Sequence, residues 1–378
     1  MPTESEILEQ LRQELFEDCS YYSGKVFGSM SSYPEEMSQK VFIEFLEKNG
    51  GDGNIFASTY NIEKKTIEIL GSFFHSSEVG GNIVPGGSEA NVVALWAARN
   101  YMRKRKRLEN KRVNILVPET RHTSIDKALD LLDVEKRILP VNKYYELEIT
   151  RVEENIDENT IALVGIVGNT VYGAIDNIPT LSHIAVKHDL WIHIDAAFGG
   201  FIYPFVEDSP IFDFRIEGVK SITVDSHKML GAPIPSGTVL FKKKELSDEI
   251  IFHLPYFSGA KTENRTIVGT KSGGSIVATY YLLKYKGFEW LRERVVNNLK
   301  LKEYLKEELE KLGFQMKGKC QINVLAAKPP YELENRREYL FEKGWRIGKY
   351  QDVWRFILMP TATKEHIDLL LDELRNLC

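Results

Sequence analysis

The 378-residue chain carries 49 lysines and arginines against 54 aspartates and glutamates, a net charge of −5, with 43% hydrophobic and 27% charged residues. That balance excludes a mostly disordered or fibrous chain and leaves no global basic field for a polyanion, so nucleic acid is not an expected partner. The three cysteines, Cys19, Cys320 and Cys378, never fall in a CxxC spacing. Neither a disulfide framework nor a cysteine-based metal site is expected, and a reducing cytoplasm fits best.

The amino-terminal MPTESEILEQLRQELFED reads as a polar amphipathic helix and not as a signal peptide. No run approaches the roughly 18 apolar residues of a membrane span, so no membrane partner is expected. Over 34–49, Met37, Val41, Phe42 and Phe45 recur at helical spacing, and over 59–74 Ile62, Thr66, Ile69, Leu70 and Phe73 do the same. From 83 to about 242, short β-branched runs alternate with helical stretches, at 113–118, 161–168, 190–195, 221–225 and 238–241. Nearly apolar strands alternating with helices are the pattern of an α/β protein with a mainly parallel sheet covered on both faces. A long helical region over 273–312 then leads to strands at FQMKG, INVLAA and WRFILM and helices over 333–343 and 364–376, the plan of a small α+β domain. The expected division is a helical arm over 1–50, a large ligand-binding domain over 51–285, and a small carboxy-terminal domain with its linking helix over 286–378.

Chemistry concentrates in a few segments. PGGSEAN (85–91) follows a short apolar run and opens a helix, with Ser88 as the expected N-cap and Asn91 one turn in. Two glycines permit close backbone approach, and free amides at a helix start favour an anion such as phosphate, although such a pair is more often only a turn. The GKS or GKT element of a Walker loop is missing. Asp195 ends the LWIHID strand, and Asp225, Ser226, His227 and Lys228 follow SITVD in the same way. An aspartate there is commonly a cap and a lysine a surface charge. In combination, an anion-binding helix start, a carboxylate and a lysine at one sheet edge are what pyridoxal 5'-phosphate requires. His183 and His188 stand five apart without the glutamate of a zinc-protease helix, and no metal is expected. The basic run over 99–112 complements the end of the helix begun at Ala90 and reads as solvated.

PGGSEAN (85–91), RHTSIDKA (121–128), GNTVYGAIDNI (168–178), HIDAAFGGF (193–201), SITVDSHKM (221–229) and GTKSGG (269–274) occur in an order that resembles the group II pyridoxal-phosphate amino-acid decarboxylases. The archaeal L-tyrosine/L-aspartate decarboxylase branch is the most similar, and GSMSSYPEEMSQKVFIEFLEKNGGD extends the resemblance to nearly the whole chain. It implies the fold type I architecture, with a seven-stranded, mainly parallel sheet between helices. It also implies that Lys228 is the Schiff-base lysine, that Asp195 pairs with the pyridine nitrogen, and that His122 stacks on the ring and helps protonate the product. Gly87 and Ser88 would bind the phosphate, with Ser226 and His227 beside it. Thr170 would line the cofactor face and Ala197 would pack under the ring. Gly269 and Thr270 would reach the phosphate of a neighbouring subunit, implying a homodimer with shared active sites. Lys271 stands where arginine is commoner in the family, which would weaken a bidentate contact without losing the charge. Arg355 is either a ligand for the substrate carboxylate or a solvated strand residue.

The expected reaction is α-decarboxylation of an L-amino acid, tyrosine or aspartate first and glutamate third. The same motifs resemble phosphorylated sphingoid-base lyases, which break a Cα–Cβ bond on the same scaffold. A third reading is an inactive cofactor-binding homologue, against which the presence of Lys228, Asp195 and His122 speaks.

Overall fold

A computed structural model describes residues 2–254 and 262–377; Cys378 lies outside them. The chain begins with α1 (Glu4–Glu14), α2 (Glu36–Glu44) and α3 (Ala57–Phe73), then β1 (Gly80–Val84), α4 (Gly87–Lys106), β2 (Asn114–Pro118), α5 (Thr123–Leu131) and β3 (Glu135–Leu139). The alternation continues through β4 (Thr160–Ile166), α6 (Ile178–Lys187), β5 (Trp191–Asp195), β6 (Val219–Val224) and β7 (Gly237–Phe241). Strands β8 (Phe252–Leu254) and β9 (Thr262–Asn264) pair with each other, and α7 (Gly273–Tyr281) and α8 (Gly287–Lys311) follow. The remainder is β10 (Gln315–Lys317), β11 (Val324–Lys328), α9 (Arg337–Glu342), β12 (Gly348–Tyr350), β13 (Val353–Ile357) and α10 (Lys364–Arg375).

Seven strands form the central sheet in the order β1-β7-β6-β5-β4-β2-β3. The run from β3 to β6 is parallel, and β7 lies antiparallel between β6 and β1. Strands β2, β4, β5 and β7 are buried at every position, as expected of a sheet covered on both faces. One core cluster packs α3, α6 and α8 side chains such as Leu70, Leu181 and Leu291 against the sheet. The other face is covered by α4 and α5, through Val93, Ala97, Ile125 and Leu129. Strands β10 to β13 form a separate antiparallel sheet with its own core around Phe314, Trp354, Phe356 and Leu370. The parallel order places the carboxyl ends of β4, β5 and β6 side by side, and the segments following them carry Thr170, Asp195 and Lys228.

Three departures from the sequence pattern have local causes. Strand β3 reads EKRIL and sits at the sheet edge with alternate residues exposed, so it lacks the apolar run that marks the interior strands. The long helical region is broken before Gly287, whose φ of +76° no right-handed helix accommodates. Helix α1 forms with a Thr3/Glu6 capping box, yet Ile7, Leu8 and Leu11 on it and Leu15 at its C-cap are all exposed.

Candidate active site

Helix α4 begins with Gly86 at the N-cap and no side-chain capping bond, so the first-turn amides of Gly87, Ser88 and Glu89 remain available. The helix therefore starts before the expected cap Ser88, which stands in its first turn. A Cβ at Gly87 would lie 2.9 Å from Asp225 Oδ2 and 3.0 Å from Ala197 Cβ, and one at Gly86 would lie 3.2 Å from the His227 ring. Only glycine lets the backbone come this close. The amides open onto a cavity of about 480 Å³ lined by Gly87, Ser88, His122, Thr170, Asp195, Ala197, His227 and Lys228, among others. Eight residues singled out from sequence thus converge, drawn from α4, α5 and the ends of β4, β5 and β6.

Asp195 is buried at the end of β5. Its Oδ1 accepts the Ala197 amide at 3.2 Å, and its Oδ2 accepts Asn91 Nδ2 at 3.0 Å. His122 is the N-cap of α5 and lines the cavity as well, so the capping role and the site role coexist. Its Nδ1 accepts the Ser124 amide at 3.2 Å and meets Ser124 Oγ at 2.9 Å. A backbone amide can only donate, so the neutral ring carries its proton on Nε2.

Lys228 Nζ lies 3.1 Å from Asp225 Oδ2, and His227 Nε2 lies 3.7 Å from the same oxygen. Burial pulls the His227 pKa below the ordinary imidazole value, an effect that Asp225 opposes. Sequence reasoning gave Asp225 no role, although its place at a strand end beside Lys228 was visible. Asn91, Ser124, Thr120 and Met30 also line the cavity and had no signal of this kind.

Four expected site residues lie elsewhere. Ser226 is fully buried behind the turn that brings Asp225, His227 and Lys228 to the cavity, and its Oγ has no partner among the described residues. Arg355 is neither solvated nor on the cavity wall. Its Nη1 donates to the Thr170 carbonyl at 2.9 Å and its Nη2 to the Gly28 carbonyl at 2.7 Å, which braces the cavity lip against β13. Gly269 and Thr270 are exposed and do not line this chain's own cavity, although the preceding Ile267 and Val268 donate their amides to Glu89 at its rim. Lys271 is committed internally, its Nζ bonded to Glu63 at 2.6 and 2.8 Å with both side chains nearly buried.

The donor set fits pyridoxal phosphate. The uncapped start of α4 suits a phosphate dianion, Asp195 suits a protonated pyridine nitrogen, and Lys228 supplies an amine. Thr120 Oγ1 and Asp225 Oδ1 are buried at the cavity wall without partners among the described residues, which marks the wall as built for a polar guest. The family described as "Pyridoxal-dependent decarboxylase conserved domain" matches residues 2–325. The chain belongs to this family. Within this decarboxylase family, it is 36% identical to a probable L-aspartate decarboxylase of Thermococcus gammatolerans over 99% of its own length and 97% of the relative's. It is 37% identical to a probable L-tyrosine/L-aspartate decarboxylase of Methanothermobacter thermautotrophicus, over 95% and 98%. Among solved structures, a glutamate decarboxylase of Lactobacillus brevis superposes with a TM-score of 0.90 at 24% identity, covering 100% of this chain and 92% of that one. A sphingosine-1-phosphate lyase of Burkholderia pseudomallei gives the same score and identity, covering 100% and 90%. These neighbours share the fold type I architecture, and the family match makes this chain a pyridoxal-phosphate-dependent amino-acid decarboxylase.

Proposed function

We propose that this decarboxylase removes the α-carboxylate of L-aspartate or L-tyrosine as carbon dioxide, releasing the corresponding amine, with L-glutamate a further candidate substrate. The convergence of Lys228, Asp195 and His122 on one cavity beside an uncapped helix start carries this reading. The choice of substrate is supported by the names of its relatives.

When bound, pyridoxal phosphate supplies a protonated ring that accepts the electron pair left as carbon dioxide departs. The chain's own groups do the rest. The amides of Gly87 and Ser88 hold the phosphate, and His227 stands beside them. Asp195, held in place by two donors, would face the ring nitrogen and keep it protonated. Lys228 would hold the cofactor through its amine, which opens onto the same cavity as the substrate would. His122 presents an Nε2 proton to the cavity, where the product carbon needs one. Thr170 and Ala197 bound the cofactor's two sides. Arg355 braces the Thr170 lip, and the substrate carboxylate would meet this edge of the cavity.

We further propose a homodimer in which Gly269 and Thr270 complete the partner's phosphate site, and a reducing, cytoplasmic setting. Supporting the first are the exposed apolar side chains of α1 and the exposed 269–270 loop, and supporting the second are the free thiols of Cys19 and Cys320. The test is purified protein with pyridoxal phosphate offered a panel of L-amino acids while carbon dioxide and amine are measured. Release from aspartate or tyrosine is expected. Release from none, with aldehyde formed from a phosphorylated long-chain base, overturns the proposal in favour of the lyase.

A further inference from the structure

From the cavity wall into the core runs a hydrogen-bond chain whose direction the Asp195 carboxylate sets. Asn91, 1% exposed in the second turn of α4, stands at its centre. One Nδ2 hydrogen reaches Asp195 Oδ2 at 3.0 Å and the other reaches Ser124 Oγ at 2.9 Å. The Asp195 carboxylate can only accept, so the amide nitrogen of Asn91 must face it and Oδ1 must face away. That oxygen lies 2.9 Å from His193 Nε2, which therefore carries the ring proton. His193 Nδ1 is then an acceptor for Ser221 Oγ at 2.9 Å, and Ser221 in turn accepts the indole N–H of Trp191 at 2.9 Å. Burial holds the His193 pKa down at about 4 against the pull of Asp195, so the ring is neutral as the chain requires.

On the other side, the Ser124 hydroxyl, accepting from Asn91, has its own proton free for His122 Nδ1 at 2.9 Å. Reversing the Asn91 amide would set its oxygen against the Asp195 carboxylate, two acceptors 3.0 Å apart, so the amide keeps this orientation. The two residues expected to hold opposite ends of the cofactor chemistry, Asp195 and His122, are thus joined through a single buried amide.

We propose that Asn91 is a positioning residue that couples the Asp195 carboxylate to the His122 imidazole, its own orientation fixed by the Trp191–Ser221–His193 chain. The proposal rests on the reading of this cavity as the pyridoxal-phosphate site. Asn91 borders the cavity with only 1% of its surface exposed, and its polar atoms are all engaged by protein groups. It sets where the carboxylate lies and, by donating to Ser124 Oγ, turns the Ser124 hydroxyl proton toward His122 Nδ1. Groups placed one shell behind a reacting site characteristically change activity by about 10- to 100-fold when removed.

Three variants test it in the holoenzyme. Asn91→Asp is isosteric and keeps the acceptor for His193, but replaces both donated hydrogens with an acceptor. Asn91→Ala removes the whole amide, and Ser124→Ala cuts only the His122 branch. Wild-type protein with pyridoxal phosphate must first show a visible Schiff-base band, distinct from that of the free cofactor, that Lys228→Ala abolishes; failure there defeats the reading of the site and not the role of Asn91. Given that band, both Asn91 variants are expected to shift its position and its pH midpoint and to weaken cofactor retention on gel filtration. Ser124→Ala is expected to leave the band in place and change the rate only. For Asn91→Ala, kcat should fall about tenfold or more with KM nearly unchanged. In the cycle formed by Asn91→Ala, His122→Gln and their double variant, the effects on kcat should miss additivity by about fivefold or more. Near-ultraviolet circular dichroism of the apo-proteins identifies a variant that has lost its packing, and Asn91→Asp then carries the comparison. An unshifted band in both Asn91 variants, or additive effects in the cycle, overturns the proposal.

Discussion

At the scale of single residues, one side chain can hold two roles that experiment can separate. His122 caps α5 through Nδ1 and lines the cavity with the rest of its ring. Asparagine is among the best N-cap residues, whereas alanine is a poor one costing about 1 kcal/mol. His122→Ala is therefore expected to lose about that much stability and at least about a hundredfold in kcat, while His122→Asn keeps the stability and loses the same activity. An active His122→Asn enzyme would reduce the residue to a cap. His193 carries a second prediction, on pH. Its folded pKa is depressed to about 4 from the ordinary 6.5. Between those values the unfolded chain binds a proton that the native state refuses, so stability falls as the solution is acidified through this window. The loss attributable to this group is of order 2 to 3 kcal/mol. Denaturant midpoints at neutral and mildly acid pH should fall more steeply in wild type than in His193→Gln, and parallel slopes would rule out a neutral buried imidazole. Lys228, Asp195 and His122 were legible in the sequence because their chemistry is unusual at strand and helix ends. Asn91 and Ser124 were not, because their roles arise from partners up to about a hundred positions away, and a buried amide has no pattern in sequence.

At the scale of elements, the start of α4 trades helix stability for ligand binding. Alanine at Gly87 would favour the helix by up to about 1 kcal/mol on propensity. Its Cβ, however, would lie 2.9 Å from Asp225 Oδ2 and 3.0 Å from Ala197 Cβ, both on the cavity wall. Gly87→Ala is therefore expected to leave thermal stability of the apo-protein close to wild type while weakening pyridoxal phosphate binding about tenfold or more, read by titrating the cofactor's absorbance. Unchanged affinity would mean that the phosphate does not sit on this helix start. The interior strands were readable from sequence because burial on both faces leaves almost nothing polar in them. Strand β3, at the sheet edge, and β12, only Gly348–Tyr350, lack that pressure and leave no apolar run. Likewise the break before Gly287 depends on backbone conformation, which helical spacing on either side of it does not encode.

For the whole molecule, the question is whether one chain completes its own site. Glu63, nearly buried, accepts both the Lys271 ammonium and the Ile83 amide, and Glu89 at the start of α4 accepts the Ile267 and Val268 amides, which anchors the loop carrying Gly269 and Thr270 on both sides while those two residues stay off this chain's cavity wall. A Cβ built on Gly269 meets nothing within 4 Å, so a side chain there does not disturb its own subunit. If the loop reaches a partner's phosphate, a carboxylate at this position repels it across the interface. Gly269→Glu is accordingly expected to fold and dimerise normally but to lose cofactor, and Lys228→Ala to bind cofactor without attaching or turning it over. In a two-fold dimer, a hybrid of the two variants has one site with both defects and one with neither. Mixing the inactive proteins under conditions of subunit exchange should then restore about a quarter of wild-type activity, since about half the dimers are hybrids and each has one intact site. No recovery, with hybrid dimers demonstrated by mass spectrometry, would place Gly269 and Lys228 in the same site and exclude sharing. A monomer by sedimentation that retains full activity would exclude it as well, and would leave the exposed apolar residues of α1 to another contact.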